Sequence, residues 1–410
     1  MSTACEGKTR LALVVALAAL FPPAGAAGQR VAPVRRDSAG IDIVTYARDA
    51  APRRFSLRPA GVEIGTASGS ELHRVVSAIR MPNGRTIVAD AGRREILRFG
   101  PTGALERALA RVGAGPGEFT DLRSMHRHGR DSIVAHDGGQ MRFAVFSDSG
   151  FARQVLLQKS EHLFQIETSL LGLLPDGRAI VTSGASIALG DPGPARVERA
   201  EFPLVSYAAD GRPGRLLGRY PGFELEVSVI RQGPRTGGFS RGLRLFGATS
   251  AFGLAGENII VVDNASFQFD VVDTSGRLIR RVRRQHVPEA VRPSHMAAYA
   301  NDRVSAISDP ARKASRQSEY ESASHALVFP ALDARLVIDA VQRIWLGSFL
   351  RPGDKEQEWW LFGIDGTLVG RVTVPSALTV TDAGTDYVLG IWRDADGVQT
   401  IRQYRLVPSN

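Results

Sequence analysis

An all-β chain wound as a six-bladed β-propeller of four-stranded blades is what three features of this 410-residue sequence predict. The first is a repeat. "PNGRTIVADAGRREILRFGPTG" (Pro82 to Gly103) and "GENIIVVDNASFQFDVVDTSG" (Gly256 to Gly276) share the order turn, apolar strand, loop, alternating strand, turn. From Asp90 to Gly103 and from Asp263 to Gly276 the spacing is the same 13 residues. The second feature is alternation: each strand-rich piece switches between apolar and polar residues and ends at Gly with Asn, Asp or Ser. The third is that weaker copies fill the rest of the chain, so that stacked units can bury the faces that one unit leaves bare.

Taken in order, the chain begins with a stretch that reads as a secretory signal over residues 1–26. Lys8 and Arg10 precede eleven apolar residues, Leu11 to Phe21, and Ala24-Gly25-Ala26 supplies small residues for cleavage. That run is shorter than the roughly 20 residues that span a bilayer. No later run is long enough, so no membrane span is expected. Residues 27–410 then form one propeller domain. "IDIVTYA" (Ile41 to Ala47) alternates well and is expected to complete the last blade, which has room after Gly384 for only two strands. Such closure ties the ends together and removes exposed edges.

Blade one is followed by "GAGPGEF" (Gly113 to Phe119), a crossover from the rim of one blade to the axis of the next. Its glycines can take φ > 0, Pro116 fixes one φ angle, and Phe119 is placed to plug between blades. A phosphate loop would need a following helix and usually a lysine, and neither is there. Further copies run from Gly129 to Gly150, from Pro175 to Gly211, from Val341 to Gly366, and from Gly384 onward. Intervals that are 27 residues elsewhere stretch to 46 from Gly211 to Glu257 and to 66 from Gly276 to Gln342. The extra length falls on one face, the one carrying crossovers and long loops, and long loops on a rigid scaffold are where binding concentrates. "DPGPARVERAEF" (Asp191 to Phe202) reads as an irregular loop, and Tyr220 to Gly242 as an added hairpin with a Gly-rich tip. Residues 285–324 read as a helical insertion between blades four and five, able to act as a lid over the channel mouth. Asp309 caps a helix begun by Pro310, whereas Pro293 interrupts a shorter helical stretch.

The motifs "PNGRTIVAD", "GAGPGEF" and "DSAGIDIV" resemble the exported bacterial six-bladed propellers related to NHL repeats. The resemblance implies the fold and export to the periplasm or the cell exterior. The group as a whole has no assigned activity. Calcium-dependent lactonases and esterases of the gluconolactonase and paraoxonase types are also six-bladed propellers, with Glu, Asn and Asp ligands in the central tunnel.

Composition narrows the partners. The single cysteine, Cys5, lies in the signal, which excludes disulfides and thiol chemistry from the mature chain. The net charge of +9 comes almost wholly from arginine, with four lysines in all, and the arginines are scattered apart from "RRVRR" (Arg280 to Arg284). A nucleic-acid partner is not expected. "RRVRR" falls on an outer strand, where charge blunts edge pairing or could meet an anionic polymer.

Aligning the repeats sets Asp90, His136, Ser183, Asp263, Ser348 and Ile391 at the ends of second strands on the loop-rich face. Asp90, His136, Asp263 and Asn264 are the candidate binding residues, and Asp263-Asn264 could offer oxygen ligands to a Ca²⁺ ion. The same pair also suits a turn that caps backbone N–H groups, and no full Glu/Asn/Asn/Asp set stands in matching strands. His126, His128 and His136 are spaced too far apart on their hairpin to converge on a metal. The four tryptophans are expected to pack between blades, and Glu356 and Glu358 to lie solvated in a loop. No nucleophile elbow or Ser/His/Asp arrangement appears. The expected function is non-catalytic binding of an envelope protein, glycan or small molecule by a monomer. The alternative is a calcium-dependent lactonase or esterase with its site at the channel mouth, and a third reading is an envelope scaffold.

Overall fold

The computed structural model describes residues 32–163, 168–184, 196–232 and 235–409. The expected signal falls outside these residues, as does most of the stretch read as an irregular loop. Strands alternate Cβ directions, so the period-2 segments of the sequence form sheets with apolar residues on both faces. The N-terminal segment supplies β1 (Val34–Ser38), β2 (Ile41–Tyr46) and β3 (Arg54–Ile64). A first antiparallel run follows as β4 (Val75–Arg80), β5 (Thr86–Asp90), β6 (Glu95–Phe99) and β7 (Leu105–Val112), with the short β8 (Glu118–Phe119) at its edge. A second comprises β9 (Leu122–His128), β10 (Ser132–Asp137), β11 (Arg142–Ser147) and β12 (Gly150–Leu156). A third comprises β13 (Thr168–Leu173), β14 (Ala179–Ser183), β15 (Arg196–Tyr207) and β16 (Pro213–Gln232), which β17 (Arg235–Leu243) extends into the expected hairpin. Arg196 to Phe202 is thus strand rather than irregular loop.

The fourth run is β18 (Ser250–Ala255), β19 (Asn258–Asp263), β20 (Gln268–Val272) and β21 (Leu278–Arg284). Helices α1 (Pro293–Val304) and α2 (Pro310–Glu321) separate it from β22 (Leu332–Ile338), β23 (Ile344–Ser348), β24 (Glu356–Phe362) and β25 (Leu368–Pro375). The chain ends in β26 (Leu378–Ala383), β27 (Tyr387–Arg393) and β28 (Gln399–Pro408). The leading strands β4, β9, β13, β18, β22 and β26 touch one another in a closed cycle, β26 returning to β4. Each neighbouring pair of runs buries its own apolar cluster: Phe119, Met125 and Phe146 between the first two, for example, and Trp359, Leu378 and Val388 between the last two. The fold is propeller-like. Among the described residues no helix is long and apolar enough to cross a membrane.

Two expectations about the N-terminal segment and its neighbours are corrected. Ile41 to Tyr46 does not complete the last run; β2 pairs in parallel with β21, on the outside of the fourth. Val44 and Tyr46 are buried there, and the Tyr46 hydroxyl donates to the Gly366 carbonyl at 2.9 Å while accepting from the Leu368 N–H at 2.8 Å. The strand that does complete the last run is β3, antiparallel to β28. It carries Pro59 and Gly61, which weaken its strand signal. "RRVRR" is therefore not an exposed edge: Arg280 pairs with Asp42 of β2 at 2.7 Å, and Arg281 binds Asp270 at 2.6 Å.

The crossover behaves as a joint. Gly113 and Gly117 have φ of +151° and +72°, while Gly115, at an ordinary φ, donates its N–H to Glu118 Oε2 at 2.9 Å. A Cβ on Gly113 would stand 2.1 Å from that oxygen. Phe119 is buried between the first two runs, stacked on Phe146. In the insertion, Asp309 accepts from the Arg312 N–H as an N-cap, as expected. Pro293 opens α1 instead of interrupting it, since a first-turn proline lacks only an N–H that has no helical partner anyway.

Candidate functional site

Where the six leading strands converge, a cavity of about 790 Å³ opens along the axis. Every leading strand contributes, because alternate residues of a strand beside the axis must face it. The lining mixes hydroxyls (Ser124, Ser169, Thr182, Ser250) with an apolar wall of Phe202, Phe223, Phe252 and Leu336. Phe202 meets Phe223 and Phe252 edge-on at 5.4 and 6.1 Å, so the wall is a fixed aromatic cluster. A second cavity of about 470 Å³, bordered by the short turns at Gly129, Pro175 and Gly256, shares His126, Arg127, Leu171, Phe252, Leu336 and Ile338 with the first. These six residues form the waist between two compartments.

Charge at the waist is internally matched. Asp382 accepts from Arg127 at 3.0 Å, from the Arg80 N–H at 2.8 Å and from the Tyr387 hydroxyl at 2.9 Å. Burial pushes the Asp382 carboxyl up against these donors, and burial followed by the Asp382 charge raises the Tyr387 phenol. The other lining guanidiniums, Arg123 and Arg335, hold Asp121 at 2.7 Å and Asp333 at 3.2 Å. The groups left over are neutral. Among the described residues, the Ser124 and Ser250 hydroxyls and His126 Nε2 are buried without a hydrogen-bond partner. Burial holds the His126 imidazole at a pKa of about 4, so it is uncharged at neutral pH. A cavity with matched ions, hydroxyl-bearing side chains and an aromatic wall suits a polar, oxygen-bearing organic molecule better than a free ion.

The candidate binding residues lie elsewhere. Asp90 is fully buried, and its two oxygens accept from the His73 and Arg93 N–H groups at 2.8 and 2.9 Å. Asn264 does the same for Thr249 at 2.7 Å. Asp137 repeats the device, taking Thr120 and Asp121 N–H groups. These three residues tie the end of a second strand to the start of its leading strand. Asp263 forms a two-pronged pair with Arg199, at 2.7 and 3.1 Å, and accepts from the Ala265 N–H. With their oxygens engaged in this way, Asp90, Asp263 and Asn264 are not brought together as a cation cage. Among the described residues no group of three His, Cys, Asp or Glu side chains is placed to hold a metal. His136 is fully buried with neither ring nitrogen partnered among the described residues, and burial, with the Arg123 charge behind it, lowers its pKa to about 4. It faces the third run, one strand away from His126.

The sequence reading missed Arg127, Asp382 and the leading-strand hydroxyls. Their only signal was position: each sits on the first strand of a repeat. Trp345, Trp359 and Trp360 are buried as expected, while Glu356 and Glu358 lie on β24 rather than in a loop, Glu358 pairing with Arg371 at 2.7 Å. No residue of the helical insertion lines the axial cavity.

No family model matches the sequence, and no curated protein matches it. Among solved structures, a putative exported protein from Bacteroides fragilis is similar over 90% of this chain and 100% of its own, at 11% identity and a TM-score of 0.49. A member of the DUF4221 family from Bacteroides vulgatus is similar over 87% and 100%, at 9% identity and a TM-score of 0.50. Virginiamycin B lyase from Staphylococcus aureus follows over 87% and 100%, at 8% identity and a TM-score of 0.40. At such identities the likeness bears on the fold alone.

Proposed function

We propose that this chain is an exported, monomeric six-bladed propeller, related to NHL-repeat propellers, that binds an oxygen-rich small organic molecule in its axial cavity. The cavity of about 790 Å³ carries the reading: it lies within the ~300–1,000 Å³ range of ligand sites and combines unpartnered buried hydroxyls with an aromatic wall. The six antiparallel runs, the closed cycle of leading strands and the separate core between each neighbouring pair support the six-bladed layout. Binding without turnover fits a site whose acids are already matched to arginines. The calcium-dependent hydrolase remains the rival, and it requires ligands other than Asp90, Asp263 and Asn264.

The test is a melting-temperature screen of the signal-free protein against neutral and acidic sugars, short peptides and lactones, repeated with the Ser169→Trp variant. Ser169 is solvent-exposed on β13 and lines the cavity, so an indole there fills the space without entering the core. A ligand whose stabilisation disappears in Ser169→Trp supports the reading. Lactone or ester turnover that needs added calcium would replace it with the hydrolase.

A further inference from the structure

A third pocket lies away from the axis, where the helical insertion returns to the fifth run. Its volume is about 340 Å³, and Arg284, Glu289, Phe329, Phe349, Arg351 and Trp360 are among the residues around it. Aromatic contacts pack the insertion there: Phe246, from the base of the added hairpin, meets Phe329, Tyr299 and Phe349 at 5.0, 5.7 and 6.1 Å. Phe329 and Phe349 stack at 5.3 Å and form one wall.

Most polar groups of this pocket are engaged. Arg351 binds Glu289 at 2.6 Å and Asp354 at 2.8 Å, and Glu358 binds Arg371. The Gln357 side chain bridges Asp333, the Ser348 carbonyl and the Trp359 indole. Two donors are not. The Trp360 indole N–H is buried on a side chain 2% exposed and has no acceptor among the described residues. Arg284 lies over the Trp360 ring, 4.2 Å from its centroid, with its Nε–H unpartnered and no carboxylate in ion-pair contact among the described residues. Its guanidinium donates to the Arg48 carbonyl. Burial, with Arg371 and Arg48 nearby and Glu358 opposing, holds this guanidinium below its usual range. An unpaired, partly desolvated cation beside an orphan N–H is costly unless an acceptor fills the gap.

We infer that this pocket binds a monosaccharide-sized acid of the uronate class, its carboxylate on Arg284 and Trp360 and its ring against Phe329 and Phe349. Arginine offers a forked donor set suited to a carboxylate, and aromatic faces suit the C–H side of a pyranose. The site is independent of the axial cavity.

Titration calorimetry of the signal-free protein with glucuronate and with glucose tests it, using Arg284→Gln, Trp360→Phe and Ser169→Trp. Saturable glucuronate binding is expected, at least ~tenfold tighter than glucose. It should weaken at least ~tenfold in Arg284→Gln and several-fold in Trp360→Phe, which keeps the ring and loses only the N–H, and be unchanged in Ser169→Trp. A melting curve of each variant establishes that it is folded, and Arg284→Lys, which keeps the charge, should recover part of the affinity. Equal affinity for glucose, no saturable binding at millimolar glucuronate, or loss in Ser169→Trp with retention in Arg284→Gln would each overturn the assignment.

Discussion

His136 concentrates the cost of burying an ionisable group. Its imidazole is buried beside the third run with neither nitrogen bonded among the described residues, and burial there favours the uncharged form. A depression from 6.5 to about 4, at about 1.4 kcal/mol per pH unit, corresponds to about 3 kcal/mol. Because the unfolded chain binds this proton more readily, the stability is fully present above pH 6.5 and is lost as pH falls toward 4. His126 acts in the same direction. Urea denaturation at pH 7.5 and pH 4 should show the wild type losing about 3 kcal/mol more than His136→Leu. At pH 7.5 the variant should match or exceed the wild type, since an apolar residue removes two unmet hydrogen-bonding groups. An equal pH response in both proteins would show that His136 protonates freely when folded. The sequence marked His136 as a binding residue because a histidine at a strand end on the loop-rich face reads as accessible. Its burial depends on a neighbouring run that no local pattern specifies.

At the level of elements, strands and turns were readable because their causes are local: period-2 alternation, and glycines that accept positive φ. The helix at Asp309-Pro310 was readable for the same reason. Partner choice was not. The stronger alternation of Ile41 to Tyr46 pointed to the last run, whereas the irregular Arg54–Ile64 occupies it, because pairing is decided by what each face buries. Readability and energetic weight also differ. Helix α2 has a well-formed cap yet buries no residue. Asp309→Ala should cost the helix about 1 kcal/mol and speed amide hydrogen exchange in its first turn. The global melting temperature should stay within error, because the helix adds almost nothing to the core. A drop of several degrees would show that α2 supports the fold beyond its contact with α1, where Tyr320 meets Tyr299.

For the whole molecule, the weight falls on closure. Removing residues through Asp49 deletes the β1–β2 hairpin and uncovers β21, but leaves the cycle of leading strands intact. Removing residues through Ile64 also takes β3, leaving β28 without its outer neighbour and the Thr400 hydroxyl without Glu63. The shorter deletion should lower the melting temperature while unfolding stays cooperative. The longer one should abolish cooperative unfolding or drive association through the bare edge, read by calorimetry and size-exclusion chromatography. The axial cavity belongs to this scale as well. Its lining is drawn from nine strands spread from Val76 to Asp382, so it was legible as a place and not as a list of residues.

Because β3 pairs with β28, contacts such as Thr400 to Glu63 span 337 positions of chain. An early strand must wait for its antiparallel partner until the last strand exists, and the entropy of bringing the two together falls due late. Refolding from denaturant should therefore be slow for a chain of this size. Anything that holds β3 in the meantime, chaperone or neighbouring chain, competes directly with the molecule's own C-terminus.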